Sequence, residues 1–109
     1  MTDQATLEAI DKAVKGNDVV LFMKGTPTFP QCGFSATVIS ILDHLGVRYD
    51  SANILEDAEL RQGIKDFSNW PTIPQLYVSG EFIGGSDIMN EMNENGELKQ
   101  LLDASGATA

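Results

Sequence analysis

Val19-Val20-Leu21-Phe22-Met23 is an uninterrupted apolar run of strand length. A strand that is apolar at every position has no wet face, so the run predicts a strand covered on both sides. Upstream, Leu7, Ile10 and Val14 recur at helical spacing, and Gly16-Asn17 stops that helix. Downstream, Gly25-Thr26-Pro27-Thr28-Phe29-Pro30 reads as a loop with two prolines. From Phe34 a second helix carries Phe34, Val38, Ile41, Leu42 and Leu45 on one side, and Gly46 ends it. Residues 47–52 suit a second strand, and Leu60, Ile64 and Phe67 mark a third helix. Gln75–Val78 and Glu81–Gly84 flank Ser79-Gly80, a two-residue hairpin turn. Ser86 or Asp87 can cap a fourth helix carrying Ile88, Met89 and Met92 and closed by Gly96. Leu98, Leu101 and Leu102 form a short last helix.

The expected order is αβαβαββα with a final helical turn. A βαβ unit demands a parallel pair with a right-handed crossover, and the terminal hairpin adds an antiparallel pair. A four-stranded mixed β-sheet flanked by helices on both faces follows. That α/β layout is the one of the thioredoxin-like fold.

The chain has 109 residues, 42% of them apolar, which is one domain's worth of chain (residues 1–109) and argues against wholesale disorder. No apolar run approaches a membrane span. Sixteen acidic residues against seven basic give a net charge of −9. That field repels a phosphate backbone or an anionic bilayer, so neither nucleic acid nor membrane is an expected partner. The amino terminus has no basic start, apolar signal core or arginine-rich presequence, which reads as a cytoplasmic protein; an organelle matrix stays open if a presequence has been removed. Residues 104–109 carry no large apolar side chain and are expected to form a flexible tail.

The single cysteine, Cys32, excludes an internal disulfide and any metal site built only from one chain's cysteines. It stands where a loop enters a helix, in Cys32-Gly33-Phe34-Ser35. Unpaired N–H groups and the positive dipole end at a helix start favour a thiolate. The alternative is a small buried hydrophobe. Residues 28–42 carry no charge, yet Pro30, Gly33 and Ser35 make a poor core segment. Cys-x-x-Ser also puts a hydroxyl where the second cysteine of a Cys-x-x-Cys redox motif would sit, although serine at a helix start is commonly just a cap. In Trp70-Pro71-Thr72-Ile73-Pro74-Gln75, Pro74 immediately precedes a strand. A cis bond after Ile73 would turn the chain and expose the Thr72-Ile73 backbone; the alternative is an ordinary trans proline. Gly84-Gly85-Ser86-Asp87 opens a helix whose N–H groups can hold a carboxylate, while Asp87 can accept from an ammonium group; a simple cap is the other reading. Lys24 ends the first strand, at the sheet end that faces a ligand crevice. Arg61 and Lys65 lie one turn apart on the third helix, and solvated surface charge is a good alternative for Lys65.

Together these residues resemble the monothiol glutaredoxin family of the Cys-Gly-Phe-Ser type. The resemblance runs from about Leu7 to Leu102. It is carried by Phe22-Met23-Lys24-Gly25-Thr26-Pro27, Cys32-Gly33-Phe34-Ser35, Trp70-Pro71-Thr72-Ile73-Pro74-Gln75-Leu76-Tyr77 and Gly84-Gly85-Ser86-Asp87-Ile88. It implies a glutathione groove beside Cys32. Lys24 and Arg61 would pair with the glycine carboxylate, and Ile73 would offer its backbone to the cysteinyl moiety. Ser86 and Asp87 would hold the γ-glutamyl end, Ser86 through its main chain rather than its hydroxyl. It further implies a [2Fe–2S] cluster bridged between two subunits, with Cys32 as metal ligand in each and each glutathione supplying another thiolate. Phe34 would press on the cluster or the groove wall, or else pack in the core. His44 reads as a surface residue with no assigned role, and Met89 and Met92 read as core.

Three functions follow from the resemblance. The first is a carrier that assembles or transfers the cluster to apo iron–sulfur proteins, as a homodimer when loaded. The second is a glutathione-dependent thiol–disulfide oxidoreductase, catalysing deglutathionylation with Cys32 as nucleophile. Ser35 removes the two-cysteine route to protein disulfides, and family members of this type are generally weak oxidoreductases. The third is a partner-binding regulatory module: the family pairs with BolA-like proteins, which would replace one half of the dimer.

Overall fold

Alternation along two strands divides the molecule into two cores. The computed structural model describes residues 2–107. In β1 (Val19–Met23), Val19, Leu21 and Met23 point to one face of the sheet and Val20 and Phe22 to the other, and all five are buried. In β3 (Gln75–Val78), Leu76 and Val78 join the first set and Tyr77 the second. The sheet order is β2-β1-β3-β4, with β2 at Asp50–Asn53 and β4 at Glu81–Gly84. β1 runs parallel to β2 and antiparallel to β3, which pairs antiparallel with β4. This is the four-stranded mixed sheet expected from the residue pattern.

Helices cover both faces. α1 (Gln4–Lys15) and α3 (Ala58–Ser68) bury Ile10, Val14 and Ile64 against Val20, Phe22 and Tyr77. Asp3 and Asp57 begin these helices, their carboxylates accepting from Thr6 N–H and from Glu59 and Leu60 N–H. On the other face, α2 (Gly33–Leu45), α4 (Ser86–Asn95) and α5 (Glu97–Ser105) bury Val38, Leu42, Met89, Leu98 and Leu102 against Leu21 and Leu76. Each such aliphatic side chain stabilises the fold by about 1.5–3 kcal/mol of transfer free energy. Met92 packs on the same cluster, and His44 is exposed in the last turn of α2. Among the described residues no helix is long and apolar enough to cross a membrane.

Three boundaries depart from the expectation. β2 begins at Asp50 rather than at residue 47, because residues 47–49 serve the exit from α2. Gly46 takes a left-handed φ of 68°, Val47 N–H returns to Leu42 O, and Arg48 N–H donates to Ala107 O. α4 is capped by Gly85 rather than by Ser86 or Asp87, which occupy its first turn. The segment expected to fray from Ala104 instead stays helical through Ser105. The Arg48 guanidinium reaches Gly106 O at 2.8 Å, and the small Ala107 side chain is buried. The rest of that expected tail, Thr108 and Ala109, lies outside the described residues.

Candidate functional site

Cys32 is the N-cap of α2, with φ −151° and ψ 137°. An N-cap side chain lies over the first-turn N–H groups, which have no intrahelical acceptor. The sulfur takes no hydrogen bond of ordinary cap geometry, so those groups act on it as nearby dipoles. The Ser35 N–H has the largest effect and holds the thiol below its ordinary range. Burial opposes it; the Phe34 N–H, the Lys24 charge and the Ser35 hydroxyl add to the lowering. The thiol is half-buried and free. It is therefore an accessible, acidified sulfur rather than a sealed hydrophobe.

The loop before it is folded tightly on itself. Gln31 N–H donates to Lys24 O at 2.8 Å, and Thr26 and Phe29 exchange backbone hydrogen bonds. Gly25 sits at φ +94°, where a Cβ would stand 2.5 Å from Phe29 O. Only glycine fits there. Asn53 Oδ1 accepts from both Gly25 N–H and Leu55 N–H, tying this loop to the end of β2.

Cys32 opens onto a cavity of about 440 Å³ at the end of the sheet, spanning both helical layers. Lys24 enters it from the end of β1, and Arg61 and Lys65 from α3. Ser86 and Asp87 enter from the first turn of α4 on the opposite layer. Ile73 lies between, at a cis Ile73–Pro74 bond. All six residues singled out from the sequence thus line one cavity. Lys65 lines it too, which the surface-charge reading did not provide for. Phe34 is 61% exposed and forms cavity wall, not core.

Buried polarity concentrates here. Among the described residues, the buried polar side chains are Ser35, Gln75 and Ser86. Ser35 adjoins Cys32 and Ser86 lines the cavity, while Gln75 stands behind the Trp70 loop. The sequence reading did not assign Gln75; its only signal is an amide inside a run that is otherwise apolar.

The donor set for a metal is small. Among the described residues no group of three or more His, Cys, Asp or Glu side chains is placed to hold an ion. One acidified thiol lining a cavity fits a metal centre only as one ligand of several, the others coming from outside the chain.

The chain matches the glutaredoxin family model over residues 19–83. It is 55% identical over 103 residues to an uncharacterized monothiol glutaredoxin ycf64-like protein of Synechocystis sp., covering 94% of this chain and 96% of that one. The solution structure of reduced poplar apo GrxS14 is similar at a TM-score of 0.80 and 51% identity, with 93% of each chain covered. The crystal structure of a buckwheat glutaredoxin–glutathione complex is similar at a TM-score of 0.86 and 26% identity, covering 97% of this chain and 94% of that one.

Proposed function

Because this chain belongs to the glutaredoxin family, among its monothiol members, we propose that it binds glutathione beside Cys32 and carries a [2Fe–2S] cluster between two copies of itself for delivery to apo-proteins. The observation that carries this reading is Cys32, an accessible thiol held below its ordinary range beside a cavity lined by Lys24 and Arg61 and, from α4, by Asp87. Glutathione is an extended tripeptide with carboxylates at both ends and an ammonium at one. The glycine carboxylate suits Lys24 and Arg61. The γ-glutamyl end suits the free N–H groups at the start of α4, with Asp87 facing its ammonium. Ile73 offers backbone between them, and the glutathione sulfur then lies beside Cys32.

A [2Fe–2S] cluster needs about four thiolate ligands. Two copies of Cys32 and two glutathione thiols would supply that number, and the protein would hold each glutathione only non-covalently. Such a cluster is cargo rather than a permanent fixture. Anaerobic reconstitution with iron, sulfide and glutathione tests this: the reading expects visible absorption of a [2Fe–2S] centre together with dimerisation. Both are lost in Cys32→Ser. A coloured dimer formed equally well by Cys32→Ser contradicts the reading.

The lowered thiol also supports a second reading, deglutathionylation. The Cys32 thiolate attacks the glutathione sulfur of a mixed disulfide, and the partner's thiolate leaves and takes up a proton. A glutathione thiolate then attacks the Cys32-bound glutathione, giving glutathione disulfide and restoring Cys32. Ser35 has no sulfur with which to resolve the adduct internally. Turnover of a glutathionylated peptide, assayed with glutathione reductase, tests it; no turnover above Cys32→Ser contradicts it.

A further inference from the structure

Gln75 follows Pro74 at the start of β3, and its side chain is fully buried. A buried primary amide has two donors and one acceptor to satisfy. Gln75 Nε2 donates to Trp70 O and to Thr72 O, each at 3.2 Å, and Oε1 accepts from the Tyr77 hydroxyl at 3.1 Å. Both Nε2 contacts are carbonyls, so the orientation of the amide is determined by its partners. Tyr77 is itself wedged among the rings of Phe22, Phe67 and Phe82, and burial pushes its hydroxyl pKa up to about 12, so it stays a donor.

Trp70, Pro71 and Thr72 form one wall of the cavity. Trp70 N–H is fixed to the end of α3, through Ser68 Oγ at 3.1 Å and Lys65 O at 3.3 Å. Pro71 has no N–H to contribute. The carbonyl side of the wall is fastened by Gln75, from a strand in the centre of the sheet. We infer that Gln75 is a positioning residue: its amide holds the wall formed by Trp70, Pro71 and Thr72 in the place where glutathione seats. This rests on the glutathione reading above. A rigid, fully satisfied buried network transmits the position of the sheet to the wall. Without it the wall must be ordered at the moment of binding, which costs affinity.

Trp70 is the sole tryptophan, so its emission reports on the wall directly. The test compares the intact chain with Gln75→Leu and with Gln75→Leu/Tyr77→Phe, which replaces both buried polar partners and leaves no orphaned hydroxyl. Leu102→Ala, in α5 on the opposite face, is the control for lost stability alone. Glutathione affinity is measured by calorimetry below each variant's melting temperature, and Trp70 quenching by acrylamide without ligand. Both Gln75 variants are expected to bind glutathione about tenfold more weakly, with more readily quenched Trp70. Leu102→Ala is expected to melt earlier yet keep its affinity. A folded Gln75→Leu/Tyr77→Phe chain with unchanged affinity overturns the inference and leaves the glutathione reading standing. An intact chain that takes up no glutathione overturns that reading, and the inference with it.

Discussion

The buried hydroxyl oxygen of Ser35 accepts the backbone N–H of Lys24 at 3.2 Å. This one contact joins the end of β1 to the first turn of α2, and so sets a cation and a thiol around the same cavity. Ser35 also contributes, through its N–H and its hydroxyl, to lowering the thiol. The serine that replaces a second cysteine is therefore a structural brace and a source of acidity for Cys32.

Ser35→Ala removes the brace and leaves Lys24 N–H without that acceptor. The expected loss is about 1–2 kcal/mol, seen as a melting temperature lower by several degrees. The thiol should also titrate higher than in the parent chain. Alkylation rate against pH, alongside calorimetric melting, checks both; a parental titration midpoint would remove Ser35 from the account of acidity.

For the parent chain, iodoacetamide alkylation should show a midpoint below about 8.5, the ordinary cysteine value. The stability consequence has a definite sign. A thiol whose folded pKa is depressed favours the folded state most above the unfolded pKa, and that contribution is lost as pH falls through the folded value. The parent should therefore gain stability relative to Cys32→Ser as pH rises across that window. A flat difference in urea midpoints from pH 6 to pH 9 contradicts the assignment.

Lys24→Ala should weaken glutathione binding about five- to tenfold at low ionic strength, with a smaller effect at high salt, because the contribution is a charge-assisted contact open to screening. Equal affinity for the variant and the parent at low salt would take Lys24 out of the carboxylate site.

Gly25→Ala forces a side chain into a left-handed backbone and a Cβ to 2.5 Å from Phe29 O. A cost of at least about 1–3 kcal/mol is expected. The loop should open locally, with Cys32 becoming more reactive toward large alkylating reagents. Unaltered urea stability would show that the loop tolerates the methyl group.

The layout was largely legible in the residues because periodicity carries it. The five apolar positions of β1 demand cover on two faces, and the Ser79-Gly80 turn specifies the hairpin. The six candidate residues were legible as separate motifs, and all of them line one cavity. What escaped depended on the ends of elements and on contacts between them. Phe34 shares a helical face with Val38, but periodicity does not separate cavity wall from core. Ala107 is too small to register as an anchor, and its burial follows from Arg48 reaching back to the last turn of α5. Gln75 shows in the sequence only as a polar residue in an apolar strand; nothing there names the carbonyls it meets.

The central claim is that one chain offers a single thiolate and that glutathione completes the ligand set. Native mass spectrometry of the anaerobically reconstituted protein tests it most directly. The account predicts a species of two chains, two glutathiones and one [2Fe–2S] cluster, which falls to apo monomers when glutathione is removed. A cluster-bearing dimer lighter by the mass of two glutathiones, with its cluster intact, would contradict it.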